Sequence, residues 1–208
     1  MIIIKDYGVE LHQLTRDTIE LVRQWRNSEK VKQYMEFRGD ISREMQKRWF
    51  DNVSSSDNQF YFLIVVDGRE VGLINIKNID WTTRIGESGI FIFEDDCLHA
   101  GVSYRASLCQ RDFAFGVLHL EKLQAHILNT NQRSIKYNKK FGFKLSDLEN
   151  SSVSVETNQL YLLDKISYYN NKNNIISMLK DRYNYTPPPK KAFRGFNYQY
   201  VSLNSMAA

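Results

Sequence analysis

Apolar positions recur along the chain with periods that change at recognisable punctuation. The opening "MIIIKDYG" has an apolar run too short for a secretory leader and is expected to form an edge strand. Residues 9–14 alternate and predict a strand. Thr15 then offers a cap for a helix that places Ile19, Leu21, Val22 and Trp25 on one side. Residues 41–53 predict a second amphipathic helix, with Met45, Trp49 and Phe50 on its apolar side. In "QFYFLIVVDGREVGLINIKNID" two apolar strands flank Asp67-Gly68, a dipeptide that accepts the positive φ of a tight hairpin turn. Residues 87–93 add a third strand to this meander. Residues 104–118 predict a helix with Ala106, Cys109, Phe113 and Val117 facing inward. A strand at 122–128, a short helix at 132–141 ended by Gly142, and strands at 143–145 and 159–164 complete the pattern.

From residue 168 the composition shifts. "YYNNKNN" is polar, 175–183 is expected to be a short helix, and "PPPKK" cannot continue one. The expected organisation is one domain over 1–167 and an extension over 168–208. Phe193, Phe196, Tyr198 and Tyr200 are too apolar for a solvated linker. That tail is expected to pack on the domain, cover its cleft or close a homodimer, with disorder as the alternative.

Composition narrows the function classes. At 208 residues, 42% hydrophobic and 25% charged, the chain is long enough for one substantial globular domain. A net charge of +4 fits an anionic small ligand and falls short of the concentrated basic patch of a nucleic-acid binder. Cys97 and Cys109 lack CxxC spacing, so neither a disulfide framework nor a metal site is suggested, and a reduced, cytoplasmic protein is expected. No apolar run approaches the roughly 20 residues of a membrane span.

The order of elements implies an α+β fold, a mixed sheet with helices on both faces. Two stretches carry chemistry. "FIFEDDCLHAGVS", residues 91–103, reads as a strand, a small-residue loop and a helix start, a place where backbone amides can meet phosphate. "NTNQRSIKYNKKFGFK", residues 129–144, places Asn131 where it can cap the next helix or offer its side-chain amide to a ligand.

Together these stretches resemble the GNAT family of acyl-CoA-dependent N-acetyltransferases, over about residues 9–165. The first resembles the family loop Q/R-x-x-G-x-G/A, here Leu98, His99, Ala100, Gly101, Val102 and Ser103, of which Gly101 matches. The second resembles N-x-R-A-I-x-x-Y-E-K-x-G-F, with Asn131, Arg133, Ile135, Lys140, Gly142 and Phe143 in register. The resemblance implies a mostly antiparallel sheet splayed in the middle, where acetyl-CoA binds and CoA forms as product. It assigns cofactor contacts to Phe91, Ile92, Phe93, Leu98, His99, Gly101, Val102, Ser103 and Asn131. Glu87 is the expected base, and a backbone amide at Ile92 or Phe93 is expected to polarise the thioester carbonyl. Many members carry Tyr where Asn138 stands here, so Asn138, a water, His99 or a tyrosine from another element is left to stabilise the thiolate. Tyr137, about 100° round the helix, is expected to face elsewhere.

The acceptor end is read from "WRN", Trp25, Arg26 and Asn27, which resembles the branch that acetylates nucleotide-linked amino sugars. Arg26, Arg38 and Arg48 suit a nucleotide diphosphate, and Trp81, Trp49 or Phe37 could stack on a base or sugar. The core is the competing place for Trp25 and Trp49. Two alternatives stand beside the amino-sugar acceptor. One is a protein α-amine, which an acidic acceptor cleft would favour. The other is a non-catalytic CoA-binding module.

Overall fold

A computed structural model describes residues 1–146 and 157–186; the aromatic and proline-containing tail lies outside the described residues. In chain order the elements begin with β1 (Ile3–Asp6), β2 (Val9–Gln13), α1 (Ile19–Asn27), α2 (Glu29–Lys32) and α3 (Arg43–Ser54). The meander follows as β3 (Phe60–Val66), β4 (Arg69–Asp80) and β5 (Ile85–Ile92). Then come α4 (Asp95–Leu98), α5 (Val102–Gly116), β6 (Lys122–Leu128) and α6 (Gln132–Phe141). The described chain closes with β7 (Lys144–Leu145), β8 (Asn158–Asp164) and α7 (Lys165–Tyr183). The strands form one sheet in the order β1-β2-β3-β4-β5-β6-β8-β7.

Every neighbouring pair is antiparallel except β5 with β6. A parallel pair needs a crossover, and α5 supplies it. The parallel pairing holds only Ile85–Glu87 against Lys122–Gln124. Yet β5 runs on to Ile92 and β6 to Leu128. The sheet therefore opens into two halves beyond Glu87, the splay expected from the resemblance.

Strand alternation places one apolar set on each face. Leu63, Val65 and Leu73 pack with Ile19, Val22 and Trp25 of α1 and Phe50 of α3. Leu11, Phe62, Ile64 and Ile76 pack with α5 and α7 on the other side. The hairpin turn sits at Asp67-Gly68, with φ of +50° and +78°. Gly142 stops α6 at φ +99°.

Three differences from the sequence reading have physical causes. First, α7 begins at Lys165, ten residues before the expected start at Ile175, so the polar "YYNNKNN" is helical. Asp164 caps it by accepting from the Ser167 amide at 2.8 Å, and Tyr168 is fully buried. Second, α5 is buried nearly all round, so Gln110, Arg111 and Asp112 join the expected inward set. The sheet covers one side and α7 another, which erases a one-sided period. Asp112 survives there because it accepts from Tyr7 Oη at 2.5 Å, Tyr168 Oη at 2.7 Å and Lys172 Nζ at 2.7 Å. Third, α2 and α4 are single turns, too short for a period to announce.

Candidate active site

The open side of the splayed sheet is a cleft of about 540 Å³. At one end it is lined by β4, β5, β6, α5 and α6; at the other by Arg26, the 34–41 segment and α3.

Backbone geometry defines its inner wall. In an antiparallel pair, residues alternate between facing the partner and facing away. Phe93 N–H donates to Val71 O at 2.7 Å. Counting back along β5, Phe91 and Gly89 also face β4, so Ser88, Ile90 and Ile92 turn their N–H and C=O groups toward the gap. Of the two amides expected to polarise a carbonyl, that of Phe93 is already committed. That of Ile92 faces away from β4, as do those of Ser88 and Ile90, which line the cleft itself.

Glu87 lies where the strands part and lines the cleft. Its carboxylate meets Lys77 Nζ at 3.0 Å, accepts from Asn78 Nδ2 at 3.0 Å and lies 3.6 Å from His126 Nδ1. These neighbours come from β4 and β6, so the carboxylate is oriented by both halves of the split sheet. Lys77 and His126 escaped the sequence reading because nothing in a strand pattern tells which polar residue faces an opening.

The start of α5 meets the requirements of an anion site. Gly101 precedes it at φ +70°, a left-handed conformation that suits glycine. A Cβ there would come within 2.9 Å of Leu179 and 3.0 Å of Tyr183 on α7. The amides of Val102, Ser103 and Tyr104 have no acceptor within the helix. Leu98 ends α4 half-buried, and His99 is exposed just after it. The expected open loop thus contains a helical turn. Of the stretch from Phe91 to Ser103, Phe91 lines the cleft itself.

On α6, Asn131 does the capping reading's job: its Oδ1 accepts from the Ser134 amide at 3.0 Å. It also lines the cleft, which leaves its Nδ2 available to a ligand. Asn138 lines the same cleft, 7% exposed, and donates to Ser134 O at 2.9 Å. Tyr137 points elsewhere, as the helical rotation predicts. Its hydroxyl donates to Ser103 O at 2.9 Å and meets Ser107 Oγ at 2.5 Å. Burial pushes its pKa up to about 12.

The acceptor candidates separate. Arg26 lines the cleft with a buried Nε that has no hydrogen-bond partner, and burial lowers its pKa. Trp25 is 4% exposed and stacks on Phe93 at 5.4 Å, in the core beside the cleft wall. Asn27 donates to Ile41 O at 3.0 Å and accepts from Ile41 N at 2.9 Å, which ties the 28–42 crossing to α1. Trp81 is exposed on the β4–β5 turn, apart from the lining residues. Trp49 and Phe37 do line the cleft; Trp49 sits edge-on to Tyr61 at 5.0 Å.

Comparison with known proteins gives a match to the model for the acetyltransferase (GNAT) domain over residues 9–144. The acetyltransferase PseH of Campylobacter jejuni is 27% identical over 147 residues, 71% of this chain and 87% of PseH. Its crystal structure in complex with acetyl coenzyme A aligns with TM-score 0.56 at 20% identity, covering 76% and 99% of the two chains. Spermidine N-acetyltransferase from Vibrio cholerae, in complex with CoA and spermine, aligns with TM-score 0.68 at 16% identity, covering 78% and 98%. FdhC, described as a nucleotide-linked sugar GNAT, aligns with TM-score 0.67 at 20% identity, covering 85% and 97%.

Proposed function

The chain belongs to the GNAT acetyltransferase family, and from that premise we propose that this acetyl-CoA-dependent N-acetyltransferase acts on the primary amine of a nucleotide-linked amino sugar. The observation that carries the acceptor reading is the charge of the cleft. At the acceptor end Arg26 lines the cleft with a buried Nε that has no hydrogen-bond partner, while Lys77 is paired with Glu87 deeper in. A polyamine or basic peptide calls for an acidic channel; this one suits an anionic diphosphate. FdhC, described as a nucleotide-linked sugar GNAT, agrees with such an acceptor. Tyr34, Phe37 and Met45 are exposed around the outer end, where a base or sugar can stack on them.

Acetyl-CoA supplies the activated acetyl group. The residues present fit it: free amides open α5 for a pyrophosphate, and the unpaired edge of β5 faces a pantetheine arm. The acceptor amine enters from the Arg26 side. Glu87 takes its proton, directly or through one water, and Lys77 and Asn78 hold the carboxylate in place. Ile92 N–H donates to the carbonyl oxygen as charge develops on it. Asn138 is positioned to donate a hydrogen bond at the sulfur. Cys97 and Cys109 are buried free thiols, which suits the cytoplasm in which we place the reaction.

The test is thiol release from acetyl-CoA with a UDP- or dTDP-linked 4-amino sugar, for wild type and Glu87→Gln. We expect release by wild type and at least a ~10-fold lower kcat in the variant. An unchanged kcat removes Glu87 from the base role. Absence of release despite CoA binding overturns the acceptor, and absence with every amine leaves the non-catalytic module.

A further inference from the structure

Arg111 is the most deeply buried cation described, 2% exposed, and it lines the cleft from the middle of α5. A charge so placed normally has a carboxylate against it. Among the described residues Arg111 has none. Its Nη1 donates to Ser107 O at 3.2 Å, a carbonyl of its own helix. Its Nε is buried without a hydrogen-bond partner. One face of the guanidinium lies 3.9 Å from the Phe141 ring, and Phe143 is 5.4 Å away. Ring faces compensate a buried cation in part. They leave its in-plane donors without an anion.

The groups around it are neutral or occupied. Tyr137 of α6, whose hydroxyl is also in side-chain hydrogen-bond contact with Arg111, and Tyr168 of α7 have pKa values raised by burial, so both are neutral partners that supply no anion. The Asp112 carboxylate next in sequence is held by Lys172, Tyr7 and Tyr168. Across the cleft, Glu87 is engaged by Lys77 and Asn78, with His126 beside it, and Glu36 and Arg26 lie at the outer end. Arg111 shares the inner end with Asn138, Ser107 and Ser134. Asn138 stands at the position where the family resemblance expects an acidic tyrosine.

We propose that Arg111 is a catalytic residue whose guanidinium binds the CoA thiolate as it departs. This rests on the acetyl-CoA reading above. The amine nitrogen forms its bond to the acetyl carbon while the carbon–sulfur bond breaks. The bonding electron pair goes to sulfur, and the amine proton goes to Glu87. Arg111 gives up no proton; it pairs the new anion, which solvent protonates on release. An arginine stays charged at any working pH, so burial does not cancel this role.

The test reads product binding rather than turnover. The affinity of wild type for CoA is measured by calorimetry from about pH 7 to about pH 9, beside desulfo-CoA, which lacks the sulfur. If a cation stabilises the bound thiolate, CoA gains ~6-fold over desulfo-CoA across that range when the bound thiol titrates about one unit below the free one, and more for a larger shift. Arg111→Met should lose the gain, and Arg111→Lys should keep part of it. A wild-type affinity ratio that does not change with pH overturns the proposal, whether or not either variant folds. So does an Arg111→Met variant that keeps the gain, which would make Arg111 a packing residue. Wild type that binds neither compound instead overturns the acetyl-CoA reading, a separate failure.

Discussion

Asn138 can donate a hydrogen bond to a thiolate but holds no acidic proton for it. Tyr137, one position earlier, does not compensate. Its hydroxyl is spent on Ser103 O and Ser107 Oγ. Tyr137→Phe should therefore leave kcat within about threefold of wild type while lowering the melting temperature, since it strands two buried partners at about 1 kcal/mol. The same residue carries a pH signature. Its pKa rises from 10.0 unfolded to about 12 folded, so the folded state holds the phenolic proton more tightly. That contribution is complete below about pH 10 and is lost as pH rises through about 12. Chemical denaturation across this window should show a shallower alkaline loss in Tyr137→Phe. An identical loss would contradict the burial of that hydroxyl. The rotation of Tyr137 away from the cleft was legible from 100° per residue alone. The partners of Glu87 were not, because Lys77 and His126 reach it from strands separated by 49 positions in sequence and joined through the sheet register.

Among the elements, β5 carries the most function. Ile92 directs its N–H away from β4, so proline at that position removes a donor without breaking a ladder bond. Ile92→Pro should keep the fold by circular dichroism and lower kcat by ~100-fold, the usual effect of losing one oxyanion donor. Near-normal turnover would move the carbonyl elsewhere. At the edge of α5, Gly101→Ala forces a left-handed alanine against Leu179 and Tyr183. It should cost about 1–2 kcal/mol and raise KM for acetyl-CoA. The strands were legible wherever a period of two met one buried face: the sequence expectation for 122–128 coincides with β6, Lys122–Leu128. The helix of 132–141 was equally clear, because Gly142 punctuates it. The start of α7 was hidden because its first turns carry tyrosine, asparagine and lysine without an apolar stripe. Its anchor is polar: Tyr168 and Lys172 both reach Asp112 on α5. Trp25 shows the reverse limit, since an apolar side chain beside Arg26 reads equally as core or as acceptor contact, and only packing on Phe93 separates them.

At the scale of the molecule, α7 belongs to the same apolar cluster as β2, β3 and α5 through Tyr168, Ile175 and Leu179. A chain ending at Asp164 should not fold, because it exposes the face of α5 that α7 covers. The splayed sheet positions every part of the proposed chemistry: free edge amides on β5, an oriented carboxylate at the fork, an anion-ready helix start and an unpaired Arg26 at the acceptor end. The acceptor claim follows from that charge, and it is tested most directly by one comparison. Values of kcat/KM are measured for UDP- and dTDP-linked 4-amino sugars, spermidine and a basic peptide on one preparation. The account predicts that an amino-sugar nucleotide leads the others by at least ~100-fold, about 2.7 kcal/mol of discrimination. A spermidine or peptide rate equal to or above it would contradict the account.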